Sequence, residues 1–347
     1  MSFQPDEQSI RDLLAKVAYP GFTRDIVSFG VVRGITVGPE IVVQLVIATN
    51  DTGVASELRD RVTKAIASRQ GMPPVKVLVD VQAPVQTGGA APQPIPGVRH
   101  VIAVASGKGG VGKSTLTVNL AAAFATLGLR VGLCDCDLYG PSVALMCGVS
   151  QRPFADEEGR IEPVVAHGIR IMSMGLLLED DSPAVLRGPM VTRYTQQFLR
   201  NVLWGDLDVL LLDLPPGTGD IQLTIVQTIP LTGAVIVTTP QEVALIDARK
   251  AVSMFGKTNV PILGVVENMS GFLDPEGRLH EIFGSGGGAS ESARLGVPFL
   301  GSLPLDPALR VAADEGTPLV LSSPENSAAR VIQGIAGTLS QAITSGD

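Results

Sequence analysis

A glycine-rich segment between a predicted strand and a predicted helix constrains this chain more than any other feature. Residues 107–115 read GKGGVGKST and directly follow the apolar run 101–105. Glycines let backbone N–H groups close around phosphate oxygens, and the helix predicted over 114–127 directs its positive N-terminal end at the same anion. Lys113 supplies a cation for the β and γ phosphates, and Ser114 offers a hydroxyl to Mg²⁺. The segment therefore predicts a nucleotide-binding loop.

A second lysine, Lys108, stands directly after the first glycine of this loop. The resulting pattern, G-K-G-G-x-G-K-[ST], resembles the deviant Walker A loop of MinD/ParA-type ATPases. That resemblance implies that Lys108 reaches across a dimer interface to the partner's nucleotide, whereas the alternative is a solvated surface lysine. The loop residues predicted to bind nucleotide are Gly107, Lys108, Gly109, Gly110, Val111, Gly112, Lys113, Ser114 and Thr115.

Carboxylates follow two of the predicted strands. In GLCDCDLYGPS, Asp135 is predicted to hold Mg²⁺ through water and Asp137 to orient the water that attacks the γ phosphate. Turn-forming aspartates are the alternative. In VLLLDLPPGTGD, Asp213 ends an apolar strand and is also predicted to hold Mg²⁺ through water. The turn after Asp213 suits a switch that senses the γ phosphate. We expect Lys108, Lys113 and Asp137 to be the catalytic residues.

The base of the nucleotide has a weaker signature. Asn268 follows a predicted strand and carries an amide that can pair with a purine edge. The loop that contains Pro304 and Asp306 follows the next strand and is predicted to form the other wall of the base pocket. The glycine run beside His280 is expected to be a mobile loop.

The three cysteines, Cys134, Cys136 and Cys147, do not form a recognisable ligand set. Cys134 and Cys136 alternate along one predicted strand, so they share the face opposite Asp135 and Asp137. Core packing is therefore favoured over metal binding for this pair.

Composition and spacing divide the 347 residues into two predicted domains. Residues 1–81 predict a small α+β domain with helices at 9–18 and 54–69 and strands at 25–37, 40–48 and 75–81. Residues 82–98, rich in Pro, Gly and Ala, predict a linker. Residues 99–347 predict an α/β P-loop domain, a doubly wound and mainly parallel sheet with helices on both faces. Its strands are predicted at 101–105, 130–134, 169–173, 209–213, 234–238, 262–267 and 299–303.

Several function classes are disfavoured by composition. A formal charge of −8 argues against nonspecific nucleic-acid binding, which needs a cationic surface. The chain has no continuous apolar segment long enough to cross a bilayer and no recognisable signal peptide, so no membrane partner is expected. Three cysteines also make a secreted disulfide scaffold an unlikely architecture. A cytoplasmic protein is therefore expected.

The motifs together resemble the Mrp/ApbC family, whose members are described as iron–sulfur cluster carrier ATPases. The similarity runs from about residue 99 to residue 321 and includes DCDLYGPS, RGPM, DLPPGTGD, VTTPQEVALIDARK, GVVENMSGF and FGSGGG. The segment YPGFTRDIVSFGVV resembles a small domain related to iron–sulfur assembly factors. The resemblance implies slow, Mg²⁺-dependent ATP hydrolysis in a homodimer that assembles clusters or transfers them to client apoproteins.

Two departures from that family concern the cluster itself. The family usually carries a C-x-x-C pair after E-N-M-S, but residues 271–277 here read GFLDPEG. The small domain often has a cysteine after its second strand, but residues 49–55 read TNDTGVA. No iron–sulfur ligands are identified, because thiolates are the usual ligands. A nucleotide-switched adaptor without its own cluster is therefore the main alternative. A MinD-like membrane-positioning ATPase is less favoured, because Arg330 is the single positive charge in the tail 326–343.

Overall fold

A computed structural model of the chain describes residues 5–18, 20, 25–27, 31–48, 52–69, 71–82, 92–137, 140–156, 160–176, 199–274, 276 and 278–344. The chain divides into two compact units, Met1–Ala90 and Ala91–Asp347. The segment RGPM, which contributes to the family resemblance, lies outside the described residues.

The smaller unit is a three-stranded sheet with two helices. Its elements are α1 (Glu7–Leu14), β1 (Val32–Val37), β2 (Ile41–Ala48), α2 (Thr52–Ala67) and β3 (Val75–Gln82). The central strand β2 pairs antiparallel with β1 and parallel with β3. Alternate side chains of β2 are buried with one face of α2, where Leu58, Val62 and Ile66 recur every four residues. The period of two in the strand and of about 3.6 in the helix thus produces one shared core.

The larger unit is built on an eight-stranded sheet. Its elements are β4 (Val98–Ala105), α3 (Lys113–Thr126), β5 (Val131–Asp135), α4 (Val143–Met146), β6 (Val164–Ala166), β7 (Ile169–Ser173), β8 (Leu207–Asp213), α5 (Asp220–Thr228), β9 (Gly233–Thr238), α6 (Glu242–Lys257), β10 (Ile262–Glu267), β11 (Phe272–Leu273), β12 (Leu279–His280), α7 (Gly287–Leu295), β13 (Phe299–Ser302), α8 (Pro307–Asp314), α9 (Leu319–Ser322) and α10 (Ser327–Thr344). A short 3₁₀ turn, Met174–Leu176, follows β7.

The strand order in this sheet is β13-β10-β9-β4-β8-β5-β7-β6, and every neighbouring pair is parallel except β6 with β7. Alternate residues of β4 enter two separate cores: Ile102 and Val104 pack on one face of the sheet, and Val101, Ala103 and Ala105 on the other. Burial on both faces explains the nearly continuous apolar runs in the central strands. The predicted α/β fold is confirmed, and all seven predicted strands of this unit are present.

Some local expectations differ from the structure. The predicted strand 25–37 forms a strand only from Val32 to Val37 among the described residues. The last part of the predicted linker packs on the larger unit, since Ile95 is buried in its core and the Gln93 N–H donates to the Thr228 carbonyl. Among the described helices, none combines the length and the hydropathy needed to span a bilayer.

Candidate nucleotide-binding site

Strand register brings three polar side chains into a row at the carboxyl edge of the large sheet. Asp135, the last residue of β5, lies opposite Asp213 of β8 on one side and Ser173 of β7 on the other. All three are fully buried. Because β8, β5 and β7 are parallel and in step, strand-end residues distant in sequence become neighbours.

Asp135 is held by four donors. Its Oδ1 accepts from the Asp137 N–H at 3.1 Å, and its Oδ2 accepts from the Ser173 hydroxyl at 2.9 Å and from the N–H groups of Ser142 and Val143 at 3.1 and 3.2 Å. Burial, followed by the charge of Asp213, raises the pKa of Asp135 to about 7. A nearby cation would favour the ionised carboxylate.

Asp213 has one engaged and one unpaired carboxylate oxygen. Its Oδ1 accepts from Lys113 Nζ at 2.6 Å and from the Thr117 hydroxyl at 2.9 Å. Its Oδ2 is buried and has no hydrogen-bond partner among the described residues. Leaving a buried carboxylate oxygen unpaired is costly, so this atom suits the hydration shell of a divalent cation. The Ser114 hydroxyl, 3.2 Å from Lys113 Nζ, provides a second oxygen in the same place.

The phosphate-binding loop depends on its glycines. Gly110 and Gly112 have φ values of 80° and 82°, in the left-handed region that favours glycine. A Cβ on Gly107 would lie 2.1 Å from the Asp247 carbonyl oxygen, and one on Gly112 would lie 2.1 Å from Asn268 Nδ2. The loop encloses a cavity of about 210 Å³ whose wall also includes Asp137 and Pro216. Seven of the nine predicted loop residues, those at 109–115, therefore line one cavity together with Asp137.

Lys108 lies on the exposed side of this loop. Its carbonyl oxygen accepts from the Ser106 hydroxyl at 2.9 Å, which fixes the backbone at this position. Within the described part of the chain, no carboxylate forms an ion pair with its ammonium group. The side chain is thus displayed outward, while Lys113 of the same loop is buried.

The loops predicted to hold the base lie next to each other. The Leu303 N–H donates to the Glu267 carbonyl at 2.7 Å, and the Ser270 N–H donates to the Leu303 carbonyl at 2.8 Å. Asn268 Nδ2 donates to the Val111 carbonyl at 2.8 Å, so the amide nitrogen is hydrogen-bonded to the backbone of the phosphate-binding loop. The purine-edge role of Asn268 stays a prediction.

Asp306 is predicted to form a wall of the base pocket with Pro304, and that role stays a prediction. Its Oδ1 caps α8 by accepting from the Ala308 N–H at 2.8 Å, and its Oδ2 accepts from Asn326 Nδ2 at 2.9 Å. Both carboxylate oxygens are engaged within the protein. The D-P pair at a helix start is the sequence signal for this cap.

Three residues of the site were missed by sequence reasoning: Thr117, Ser173 and Glu267. Thr117 lies one turn after Lys113 on α3, a spacing that could have identified it, and Ser173 ends a predicted strand in the same way as Asp135. Buried Glu267 accepts from the Ser270 hydroxyl at 2.6 Å and from the N–H groups of Gly286 and Gly288 at 2.9 and 2.5 Å.

The glycine run was expected to be a mobile loop, and that prediction is wrong for its later part. Helix α7 begins at Gly287, with its N-terminal N–H groups directed at the Glu267 carboxylate. A Cβ on Gly288 would lie 2.9 Å from the Glu267 Cβ, and one on Gly287 would lie 2.6 Å from the Pro240 carbonyl oxygen. The glycines therefore permit close docking of a helix on a carboxylate.

The cysteines are buried in the two cores. Cys134 and Cys136 belong to one core and have their Sγ atoms 3.8 Å apart, while Cys147 belongs to the other. Burial raises the pKa of the Cys147 thiol to about 12. A hydrogen bond with Cys134, followed by burial, raises the pKa of Cys136 well above its ordinary value. No group of three or more His, Cys, Asp or Glu side chains in the described ranges is arranged to hold a metal ion.

The segment where the family usually carries its cysteine pair forms a short antiparallel hairpin of β11 and β12. Asp274 Oδ2 contacts both His280 Nε2 and Arg278 Nε at 2.8 Å, and Asp274 Oδ1 accepts from the Arg278 N–H at 2.8 Å. The contact with His280 is the main reason that the pKa of Asp274 falls to about 2. The hairpin is thus closed by an ion-paired cluster.

Known proteins are similar to this chain in sequence and in fold. A family model described as ParA, NUBPL iron-transfer P-loop NTPase, matches residues 97–340. The iron-sulfur cluster carrier protein of Deinococcus radiodurans is 46% identical, over 95% of this chain and 94% of that protein. A nucleotide-binding protein of Archaeoglobus fulgidus, solved in complex with ADP, is 39% identical with a TM-score of 0.56, over 63% of this chain and 87% of that one.

A more distant solved structure shows the same fold. The cell division ATPase MinD of Pyrococcus furiosus has a TM-score of 0.54 at 24% identity, over 70% of this chain and 99% of that one. The family match covers well over half of the chain, and the glycine loop, Lys113 and Asp213 lie inside it. The chain belongs to the iron–sulfur cluster carrier family of MinD/ParA-like P-loop NTPases.

Proposed function

We propose that this protein binds and slowly hydrolyses ATP with Mg²⁺ as a homodimer, and that it acts in the cytoplasm in iron–sulfur cluster assembly or transfer to apoproteins. One observation carries the nucleotide part: a glycine loop lies over a buried row of Lys113, Asp213 and Asp135, in which Asp213 Oδ2 lacks a partner. The relative from Archaeoglobus fulgidus, solved with ADP, supports a nucleotide at the same loop.

The residues have distinct tasks in this proposal. The loop N–H groups and Lys113 bind the phosphates, and Lys113 exchanges its contact with Asp213 for one with the nucleotide. Mg²⁺, when bound, neutralises phosphate charge, with Ser114 as ligand and Asp213 and Asp135 holding its water ligands. Asp137 lines the cavity and orients the water that attacks the γ phosphorus, releasing ADP and phosphate.

The dimer part rests on Lys108. Its ammonium group is exposed beside a buried phosphate site, so a second copy could receive it without unfolding either loop. A cation supplied there stabilises the negative charge that develops on the transferring phosphoryl group. The identity of the nucleotide base and the assembly factors or client proteins are further parts of the same proposal.

The cluster part has a second candidate, an adaptor that switches with nucleotide but carries no cluster of its own. Buried thiols and the ion-paired hairpin favour it, because neither offers an exposed thiolate at the usual site. Both candidates hydrolyse ATP, and they differ only in whether the protein itself carries an iron–sulfur cluster.

Anaerobic reconstitution with iron and sulfide separates them. Wild type is compared with a variant carrying Cys134→Ser, Cys136→Ser and Cys147→Ser, with absorbance and iron assays as readouts. We expect no stoichiometric cluster in either protein, which would support the adaptor. A stoichiometric cluster in wild type that disappears in the variant would support the carrier function through these cysteines. Mg²⁺-dependent ATP hydrolysis by both proteins tests the shared ATPase, and its absence from wild type would reject the proposal.

A further inference from the structure

The turn that follows β8 forms one wall of the nucleotide cavity. Within this turn, the Gly217 N–H donates to the Ser106 carbonyl at 2.9 Å, which ties the turn to the start of the phosphate loop. Pro216 lines the cavity, and a Cβ on Gly109 of the loop would be 3.8 Å from the Pro216 ring. The position of this turn therefore sets the shape of the cavity beside the loop.

One side chain of α5 holds the other end of the turn. Gln222 is 1% exposed, and its Nε2 donates to the Pro215 carbonyl at 2.6 Å. Its Oε1 is buried and has no hydrogen-bond partner among the described residues. The amide orientation follows from this contact, because a carbonyl oxygen can pair only with the NH₂ end of the amide.

The unpaired Oε1 calls for a physical explanation. Leaving a buried amide oxygen without a donor is costly, and an apolar side chain of the same length would avoid that cost. Asp213 Oδ2 is the other unpaired carbonyl or carboxylate oxygen among the buried side chains described, and it lies at the opposite end of the same turn. Unpaired buried groups often mark places where function has set the choice of residue.

A second cavity borders the same turn. It has a volume of about 410 Å³ and is lined by Gln222, Ile221 and Pro215. Asp137 and Pro216 line both this cavity and the nucleotide cavity. The turn thus separates two spaces, with the proposed water-orienting carboxylate at their common edge.

We propose that Gln222 is a positioning residue for hydrolysis, and this inference rests on the proposed ATPase function. Nε2 holds Pro215 and thereby places the Pro216 wall against the phosphate loop. Oε1 is the acceptor for a donor that reaches it when the turn closes on bound Mg²⁺-ATP. Gln222 acts through the turn and touches neither nucleotide nor attacking water.

The main test is Gln222→Met, which keeps the length of the side chain and removes both hydrogen-bonding groups. Gln227→Met is the matched control, since Gln227 is exposed on the same helix. We expect Gln222→Met to lower kcat roughly 10- to 100-fold, because small misplacements cost that much, while the Kd for Mg²⁺-ATP changes less than about threefold. Thermal stability should change little, since the variant removes the unpaired Oε1 but also leaves the Pro215 carbonyl without its donor.

A second variant, Gln222→Glu, separates the two groups. In its ionised form it retains an acceptor but cannot donate to the Pro215 carbonyl, so kcat should fall as in Gln222→Met at a pH where the new carboxyl group is ionised. Hydrogen–deuterium exchange of the segment 214–222 gives a readout that does not depend on turnover. Mg²⁺-ATP should protect this segment in wild type and in Gln227→Met, and the protection should be lost in Gln222→Met.

The outcomes are distinguishable from those of the proposed function. Wild-type turnover and wild-type protection in Gln222→Met, in a protein that binds and hydrolyses ATP, would overturn the role of Gln222 and leave the ATPase intact. A fall in kcat that only follows a loss of folded protein would also overturn it. If wild type neither binds nor hydrolyses ATP, both proposals are wrong.

Discussion

The nucleotide site and the β11–β12 hairpin both depend on charged side chains, but those side chains have different neighbours. Lys113 and Asp213 are separated by 100 positions in the chain, are almost fully buried and meet at 2.6 Å. Asp274, Arg278 and His280 lie within seven residues of one another, and the Arg278 side chain is 70% exposed. One group is assembled by the whole fold and the other by a local turn.

This difference sets how much a substitution costs in each region. In the buried network, replacing one member leaves its partner as an unpaired buried charge, which is strongly destabilising. In the hairpin, Arg278 and His280 are more than half exposed, and ion pairs with such exposed partners contribute less. The hairpin carries Asp274 and Arg278 within a region where the resemblance implies a cysteine pair. Similarity to relatives therefore supports nucleotide binding by this chain more strongly than cluster binding.

The largest expected effect comes from the buried site. Lys113→Ala should weaken Mg²⁺-ATP binding about 100- to 1000-fold, because charge-assisted hydrogen bonds to the β and γ phosphates are lost. Isothermal titration calorimetry measures this, with the exposed Lys257→Ala as control. Circular dichroism should test whether the variant is folded, because Lys113→Ala also leaves the buried Asp213 carboxylate without its cation. Unchanged affinity in a folded variant would contradict the phosphate-loop assignment.

The second effect concerns the exposed lysine of the same loop. Lys108→Ala should reduce turnover on the order of 100-fold while affinity changes little, because its charge is needed mainly in the transition state. Asp137→Ala should likewise lose turnover and retain binding. Phosphate release under saturating Mg²⁺-ATP is the measurement. If Lys108→Ala retains full turnover, the deviant-loop interpretation is wrong.

The third prediction concerns the buried residue Glu267, which lies between Asp213 and the β11–β12 hairpin in the sequence. Glu267→Gln should lower the free energy of unfolding by about 1–3 kcal/mol, since its new NH₂ group replaces either Oε1, which accepts from Gly286, or Oε2, which accepts from Gly288, and so faces a donor. Urea unfolding measures the change. Glu281→Gln is the control. Glu281 is exposed, and its carboxylate accepts from the side-chain hydroxyl of Ser285. Equal stability of the two variants would show that the carboxylate does not hold α7.

The smallest effect is expected at the hairpin. Asp274→Asn should change stability only slightly and leave Mg²⁺-ATP affinity unaltered. The folded pKa of Asp274, about 2, lies below its ordinary value of 3.8, so any stabilisation is complete above pH 3.8 and is lost as the pH falls through 2. Urea unfolding of both proteins at pH 7 and near pH 2.5 measures this. A change in nucleotide affinity would show that the hairpin is coupled to the site.

Much of the architecture follows from local sequence pattern. The strand bounds Ile169–Ser173 and Ile262–Glu267 match the prediction residue for residue, because buried parallel strands leave uninterrupted apolar runs. Asp135, Asp137 and Asp213 could be placed at strand ends for the same reason. In the small unit, the predicted strand 25–37 began too early, since an apolar run there does not show where sheet pairing starts.

The sequence by itself determined the strand–glycine-loop–helix unit, the α/β class and the strand-end carboxylates, because each depends on neighbours within a few positions. The tertiary structure alone decided which side chains meet. Thr117 reaches Asp213, Asp306 pairs with Asn326 and Glu267 receives the glycine run. These contacts depend on strand register and helix docking between distant segments, which no local period in the chain records.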